Sequence, residues 1–341
     1  MSETRFCNLF GPSIVGVSYN QPKLCSTTTW NSNAISLATG TVNYIVPSGL
    51  FINLNNTIYV TDTSSEDQLS VLLHDGTLRK KDGWPNLMTP YSIFVTSNDD
   101  IYVYNGDMSP HIDKLPSNGA NLVFVMSVDS YCYGLFIDKS DTLYCSLFDK
   151  HRVIKGRLYG NTTTTTIAGT GSSSSASNTL YGPYGIFVDN NFNLYVADSK
   201  NDRIQLFPSG ISTGTTVAGL TSSTITIKLN FPSAVVLDAD GNLFVVDSGN
   251  NRIIGSDITG FRCIIGCLGS GSTPDRLNNP IALGFDSFGN IYVTDHTNSR
   301  IQKFNISTNS CGKQLKKSVH TNKLIESTIQ RHALYLITET T

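Results

Sequence analysis

Several polar side chains in this chain recur at fixed places. Asp198, Asp247 and Asp295 each stand five residues ahead of an arginine, namely Arg203, Arg252 and Arg300. A carboxylate and a guanidinium at a repeated spacing make a charge-assisted pair. Three such pairs read as one structural device used repeatedly, not as several catalytic sites. Asp138, Asp189, Asp238 and Asp286 form a second series, each six residues ahead of an aromatic residue. Aspartate commonly opens a turn by accepting hydrogen bonds from its own backbone. A calcium site made of these carboxylates is the sharper alternative. The six histidines, His74, His111, His151, His296, His320 and His332, follow no such order. The chain has no Cys-x-x-Cys, Ser/His/Asp set, Gly-rich phosphate loop or His-Glu-x-x-His motif. No cofactor, metal or catalytic residue is expected.

The spacing of these residues comes from a larger repeat. A thirteen-residue window aligns six times without a gap, beginning at Ser48, Tyr91, Tyr133, Tyr184, Ser233 and Ile281. Examples are "YGIFVDNNFNLYV" (184–196) and "SAVVLDADGNLFV" (233–245), and the starts lie 43, 42, 51, 49 and 48 residues apart. That period suits one four-stranded propeller blade. Each window reads as a hairpin, two apolar runs about a polar four-residue turn such as "DADG". The second position is always small: Gly49, Ser92, Gly134, Gly185, Ala234, Ala282. Small residues there let the innermost strands converge around an axis. The twelfth is always aromatic: Tyr59, Tyr102, Tyr144, Tyr195, Phe244, Tyr292. Such rings fill the wedge between sheets, each burying up to ~200 Å². Proline precedes five windows, and Cys132 takes its place before the third. A third strand opens at Arg152, Arg203, Arg252 and Arg300, with Gln68 and His111 at that place in the first two blades.

The fold expected is all-β, a six-bladed propeller. The last blade shows no fourth strand before Gly312, whereas "NAISLATG" (33–40) resembles one and precedes the first window. If that N-terminal strand completes the last blade, the ring closes and no sheet edge is left open. The organisation is then an extension over 1–32, the propeller over 33–312, and an irregular or weakly helical tail over 313–341.

The pattern "GIFVD…LYVAD…NDRIQLF" strongly resembles the NHL repeat, most specifically in blades four to six. The stretches "SYNQPKLC", "KNDRIQLF" and "GFRCIIGC" further resemble secreted or cell-surface NHL-repeat proteins of small invertebrates such as rotifers. The resemblance implies three functional classes. One is an extracellular interaction platform. Another is the substrate-recognition propeller of tripartite-motif ubiquitin ligases, though the RING and B-box that ligase chemistry needs have no room in the 32 residues ahead of this propeller. The third is a metal-dependent lyase or lactonase, whose ligands would converge from innermost strands. None of the histidines falls on such a strand. A non-enzymatic scaffold for a protein or glycan ligand is the reading adopted.

Bulk composition agrees. Only 15% of residues are charged and the formal net charge is −2, so nucleic acid is not an expected partner. No apolar run is long enough for a membrane span. The start has no signal-peptide pattern. The sequons at Asn55, Asn161 and Asn305 and the cysteines nonetheless point outside the cell. The pairing expected is Cys25 with Cys311, locking the closed ring. Cys263 with Cys267 requires Gly266 to turn the chain. Cys132 with Cys145 follows by elimination, although a turn at 139–142 would set Cys145 opposite Phe136 and leave the two about 13 Å apart. For binding, Tyr91, Tyr133 and Tyr184 open three consecutive windows, with Tyr131 and Tyr181 just upstream. They should form a one-sided aromatic crescent at one mouth of the channel, the alternative being that each ring packs down between blades.

Overall fold

The computed structural model describes residues 18–37, 45–63, 69–72, 77–80, 87–106, 109–119, 121–159, 163–219 and 227–307. Six four-stranded antiparallel sheets form the blades of a ring. Their innermost strands are Pro47–Ile52, Ile93–Val95, Cys132–Ile137, Pro183–Val188, Pro232–Leu237 and Pro280–Phe285. Ile35–Leu37 is the outer strand of blade six. It pairs with Arg300–Phe304, Ile35 opposite Lys303 and Leu37 opposite Ile301, as the closure expectation required. Trp30 continues the seam by bridging Ile306 and donating its indole N–H to the Gly289 carbonyl at 2.8 Å.

Small residues at the second window position are required by contact. A Cβ on Gly134 would lie 2.5 Å from the Tyr184 carbonyl oxygen, and one on Gly185 would lie 2.6 Å from that of Ser233. The backbones of neighbouring blades meet there. The aromatic residues at the twelfth position are buried between sheets, except Tyr195, which is half-buried.

The hairpin turns differ from expectation by one residue. Ile137 pairs with Leu143 and Leu237 with Leu243, so each turn holds five residues. Blades one and two, whose turns open on Asn53 and Thr96, have the same length, and in blades three to six an aspartate braces it. Oδ1 of Asp138 accepts the amides of Ser140 and Thr142, and Asp189, Asp238 and Asp286 do the same two and four residues on. The extra residue shifts register, so Cys145 faces Leu135 and not Phe136. With a bulge between Cys132 and Gly134, the Cα atoms of Cys132 and Cys145 come within 5.6 Å and the two are disulfide-bonded. The pair is thus within reach, contrary to the four-residue turn expected. Cys263 and Cys267 are also bonded, across a turn in which Gly266 takes φ +72°. Cys311, the far partner expected for Cys25, lies outside the described residues, as do Gln68, His74, Asn161 and the 313–341 tail.

The Asp–Arg series is a buried clamp. Arg203 Nε donates to Asp198 Oδ2 at 2.7 Å, and the same pair recurs as Arg252–Asp247 at 2.8 Å and Arg300–Asp295 at 2.7 Å. The other carboxylate oxygen accepts a backbone amide from the loop leading into the blade, that of Tyr181, Asn230 or Asn278. The Arg203 guanidinium reaches the carbonyls of Ser175, Ala176 and Thr179 in that same loop. Each clamp thus ties the loop to the second and third strands. Blade three has Leu147 at the aspartate's place, and Arg152 turns instead to the exposed Asp129.

Two outcomes follow. Replacing Arg203 with Met leaves Asp198 buried without its cation, which should destabilise the fold by about 3–5 kcal/mol in chemical denaturation; a change below about 1 kcal/mol would show that the clamp is dispensable. Deleting residues 1–42 removes the closing strand and exposes the Arg300–Phe304 edge. The truncated chain should melt well below the full one and self-associate by light scattering, whereas an unchanged melt of a monomer would contradict closure.

Candidate functional site

The innermost strands enclose an axial channel of about 140 Å³, similar to the ~150 Å³ cavity that admits one benzene. At the fourth window position its wall carries Phe51, Phe94, Phe136 and Phe187, then Val236 and Gly284. At this end the chain plugs its own channel. The Tyr19 ring lies edge-on to Phe136 and Phe187, with centroids 5.3 and 5.4 Å away. Asn20 holds it in place, its side-chain amide donating to the carbonyls of Asn53 at 2.9 Å and Phe285 at 3.2 Å. Gln21 donates to Leu237, and Lys23 pairs with Asp240 at 3.4 Å. Sequence reasoning treated this stretch as an extension. A signal was present, because an apolar channel end with a glycine in one of six places leaves room for a ring from elsewhere.

The opposite mouth is the aromatic one. Tyr91, Tyr133 and Tyr184 lie side by side as anticipated. Tyr133 stacks on Tyr184 at 4.4 Å and 22°, and Tyr91 meets Tyr133 at 4.7 Å. All three are half-buried, so they neither stand free nor disappear into the core. Tyr131, 43% exposed, lies across Tyr91 at 5.8 Å. Phe148 and Phe231 extend the row beyond Tyr184, at 6.0 and 6.3 Å. Tyr181 is not part of the stack. It packs on His151 at 5.2 Å, and the Lys200 ammonium lies 5.0 Å from its ring and 4.6 Å from that of Phe148. Phe148 and Phe231 were not singled out from sequence, because both lie outside the repeated window.

The electrostatics are simple. Burial, reinforced by neighbouring tyrosines, raises the hydroxyls of Tyr91, Tyr133 and Tyr184 above the ordinary phenol range. These three phenols offer apolar ring area and neutral hydroxyls.

The turn aspartates are committed elsewhere. Besides its two amides, each of Asp189, Asp238 and Asp286 accepts from an asparagine side chain, and the Tyr144 hydroxyl donates to Asp138 at 2.8 Å. Among the described residues no three His, Cys, Asp or Glu side chains come together as a ligand set. His111 and His296 meet backbone carbonyls, of Ser109 and Pro47, and His151 lies against the Gly182 amide. Of the sequons, Asn55 sits exposed on a turn and Asn305 is half-buried. No described helix is long and apolar enough to cross a membrane.

The NHL repeat family matches residues 229–255, the first two strands of blade five and most of the third. No curated protein sequence matches the chain. Among solved structures it is similar to a protein of unknown function from Bacteroides thetaiotaomicron, with TM-score 0.64 and 16% identity over 81% of this chain and 73% of that one. An auxiliary nutrient binding protein of the same organism gives TM-score 0.61 and 15% identity over 85% and 75%. Virginiamycin B lyase from Staphylococcus aureus gives 0.57 and 13% over 80% and 98%. At these identities the likeness is one of fold. The chain is a six-bladed β-propeller carrying an NHL repeat in its fifth blade.

Proposed function

We propose that this propeller is a non-enzymatic binding scaffold that works outside the cell and presents the tyrosine mouth to a protein or glycan. The observation that carries the reading is the asymmetry of the channel. One end is filled by Tyr19, while the other carries a continuous row of half-exposed, uncharged rings running from Tyr91 to Phe231. Rings of this kind supply contact area at small entropic cost, and tyrosine is enriched where binding energy concentrates. The disulfides Cys132–Cys145 and Cys263–Cys267, and a sequon with Asn55 exposed, agree with an oxidising, glycosylating compartment. So does the resemblance of the motifs to secreted NHL-repeat proteins of small invertebrates.

The test is a glycan and peptide array probed with the full chain and with a Tyr133→Ser/Tyr184→Ser variant. Both rings are half-buried, so the variant should melt earlier than the parent, and binding is compared at a temperature where it remains folded by circular dichroism. Array binding should fall at least about tenfold, as for loss of an interface anchor. A folded variant that keeps its binding would assign these rings to packing alone. Secretion from a eukaryotic host should add a glycan at Asn55 that a peptide N-glycosidase removes; an unmodified Asn55 in secreted protein would withdraw that part of the reading.

A further inference from the structure

Beside the tyrosine row, between blades two and three, lies a second cavity of about 530 Å³. That is within the usual range of small-ligand pockets, ~300–1,000 Å³. Its wall breaks the repeat. The residue just after the window is Thr61, Ser146, Ala197, Val246 or Thr294 in five blades. In blades one, three and six its hydroxyl accepts the amide of the small residue opposite, Gly49 at 2.7 Å, Gly134 at 2.8 Å and Ala282 at 2.7 Å. Blade two has Tyr104 there. Its ring is fully buried, and its hydroxyl, like that of Ser130 beside it, has no hydrogen-bond partner. A second departure accommodates the first. Two residues on, where other blades carry Thr63, Phe148, Ser199, Ser248 or His296, blade two has Gly106, and a Cβ there would come within 2.7 Å of the Tyr104 ring. Two coupled exceptions thus place a phenol at a cavity where the repeat needs none.

The charges at this cavity cancel. Asp129 and Asp149 contribute two carboxylates, Lys150 one ammonium, and Asp129 is held by Arg152 at 2.8 Å. No formal net charge is left to select a phosphate or an ammonium group. What remains are hydroxyls that both donate and accept, carboxylates that accept, an ammonium that donates, and the exposed ring of Tyr131. A neutral polyhydroxylated ring complements that set, its hydroxyls alternating as donors and acceptors and its C–H face lying on an aromatic ring.

We propose that this cavity is a subsite for one saccharide residue. The sugar stacks on Tyr131, and outward movement of that ring lets its hydroxyls reach those of Tyr104 and Ser130, while Asp149 accepts at the rim. The inference rests on the binding reading above and deepens it by naming a glycan as the ligand class.

The experiment uses the full chain, saturation-transfer NMR and calorimetry. The probes are galactose, mannose, fucose and N-acetylglucosamine, each as free sugar and as methyl glycoside. At least one should bind, and Tyr104→Phe and Ser130→Ala should each weaken it about fivefold or more, the worth of one hydrogen bond. Preference for the methyl glycoside supports a glycan terminus as the source, and preference for the free sugar supports a soluble saccharide. Because the Tyr104 hydroxyl has no partner, Tyr104→Phe should melt no lower than the parent, which separates lost binding from lost folding. Absence of any sugar signal, parental binding by both variants, or occupation of the cavity by an array peptide would each overturn the subsite. Array binding lost in Tyr133→Ser/Tyr184→Ser, with no sugar bound, would leave the scaffold reading standing while this one falls.

Discussion

Everything in this propeller depends on how closely six innermost strands approach one another. At the second window position of blades three and four the next blade's backbone lies where a Cβ would be, 2.5 Å for Gly134 against Tyr184 and 2.6 Å for Gly185 against Ser233. The other windows hold glycine, alanine or serine at that position, so no large side chain stands there in any of the six. The approach also fixes the blade angle. Farther from the axis the wedge between sheets widens, and the aromatic residue at the twelfth position fills it. The axial channel that results is too narrow for a large ligand, and the binding proposed above is accordingly placed at one mouth and one gap between blades.

The local devices serve that geometry. In blades three to six the turn aspartates bind their own backbone and brace hairpins of one length, the length that sets the register of the inner pair. The Asp–Arg clamps of blades four to six draw their loops onto those blades at the opposite end. A carboxylate with two amides, or with an amide and a guanidinium, has little capacity left for a metal ion or a proton-transfer role. The residues that looked most chemical are therefore the ones most fully used by the fold.

Much of this was legible in the sequence because it is periodic. A constraint imposed six times leaves six similar traces, and the blade count, the closing strand, the aromatic wedge and the Asp–Arg pairs could be read from them. Misreadings arose where one residue decides the outcome. The hairpin turn holds five residues and not four, and that one residue changes which residue Cys145 faces. Features that occur once left no period to detect. Tyr19 in the channel, Phe148 and Phe231 at the tyrosine row, and Tyr104 with Gly106 in blade two are all of this kind. They are also the features that make one face and one gap unlike the rest, which a repeat by itself cannot do.

The closing strand also orders events during synthesis. Leu37 must wait for Ile301, its partner in blade six, which is made 264 residues later. At ~5–20 residues per second the wait on the ribosome is roughly 13–53 s. Blades one to five can pair their own strands as they emerge, since each sheet there is continuous in sequence. Blade six cannot, and until its early strand returns the nascent ring is open, with the edge of Arg300–Phe304 unpaired. A chaperone acting on this protein would meet that edge last, after most of the structure it belongs to has already formed.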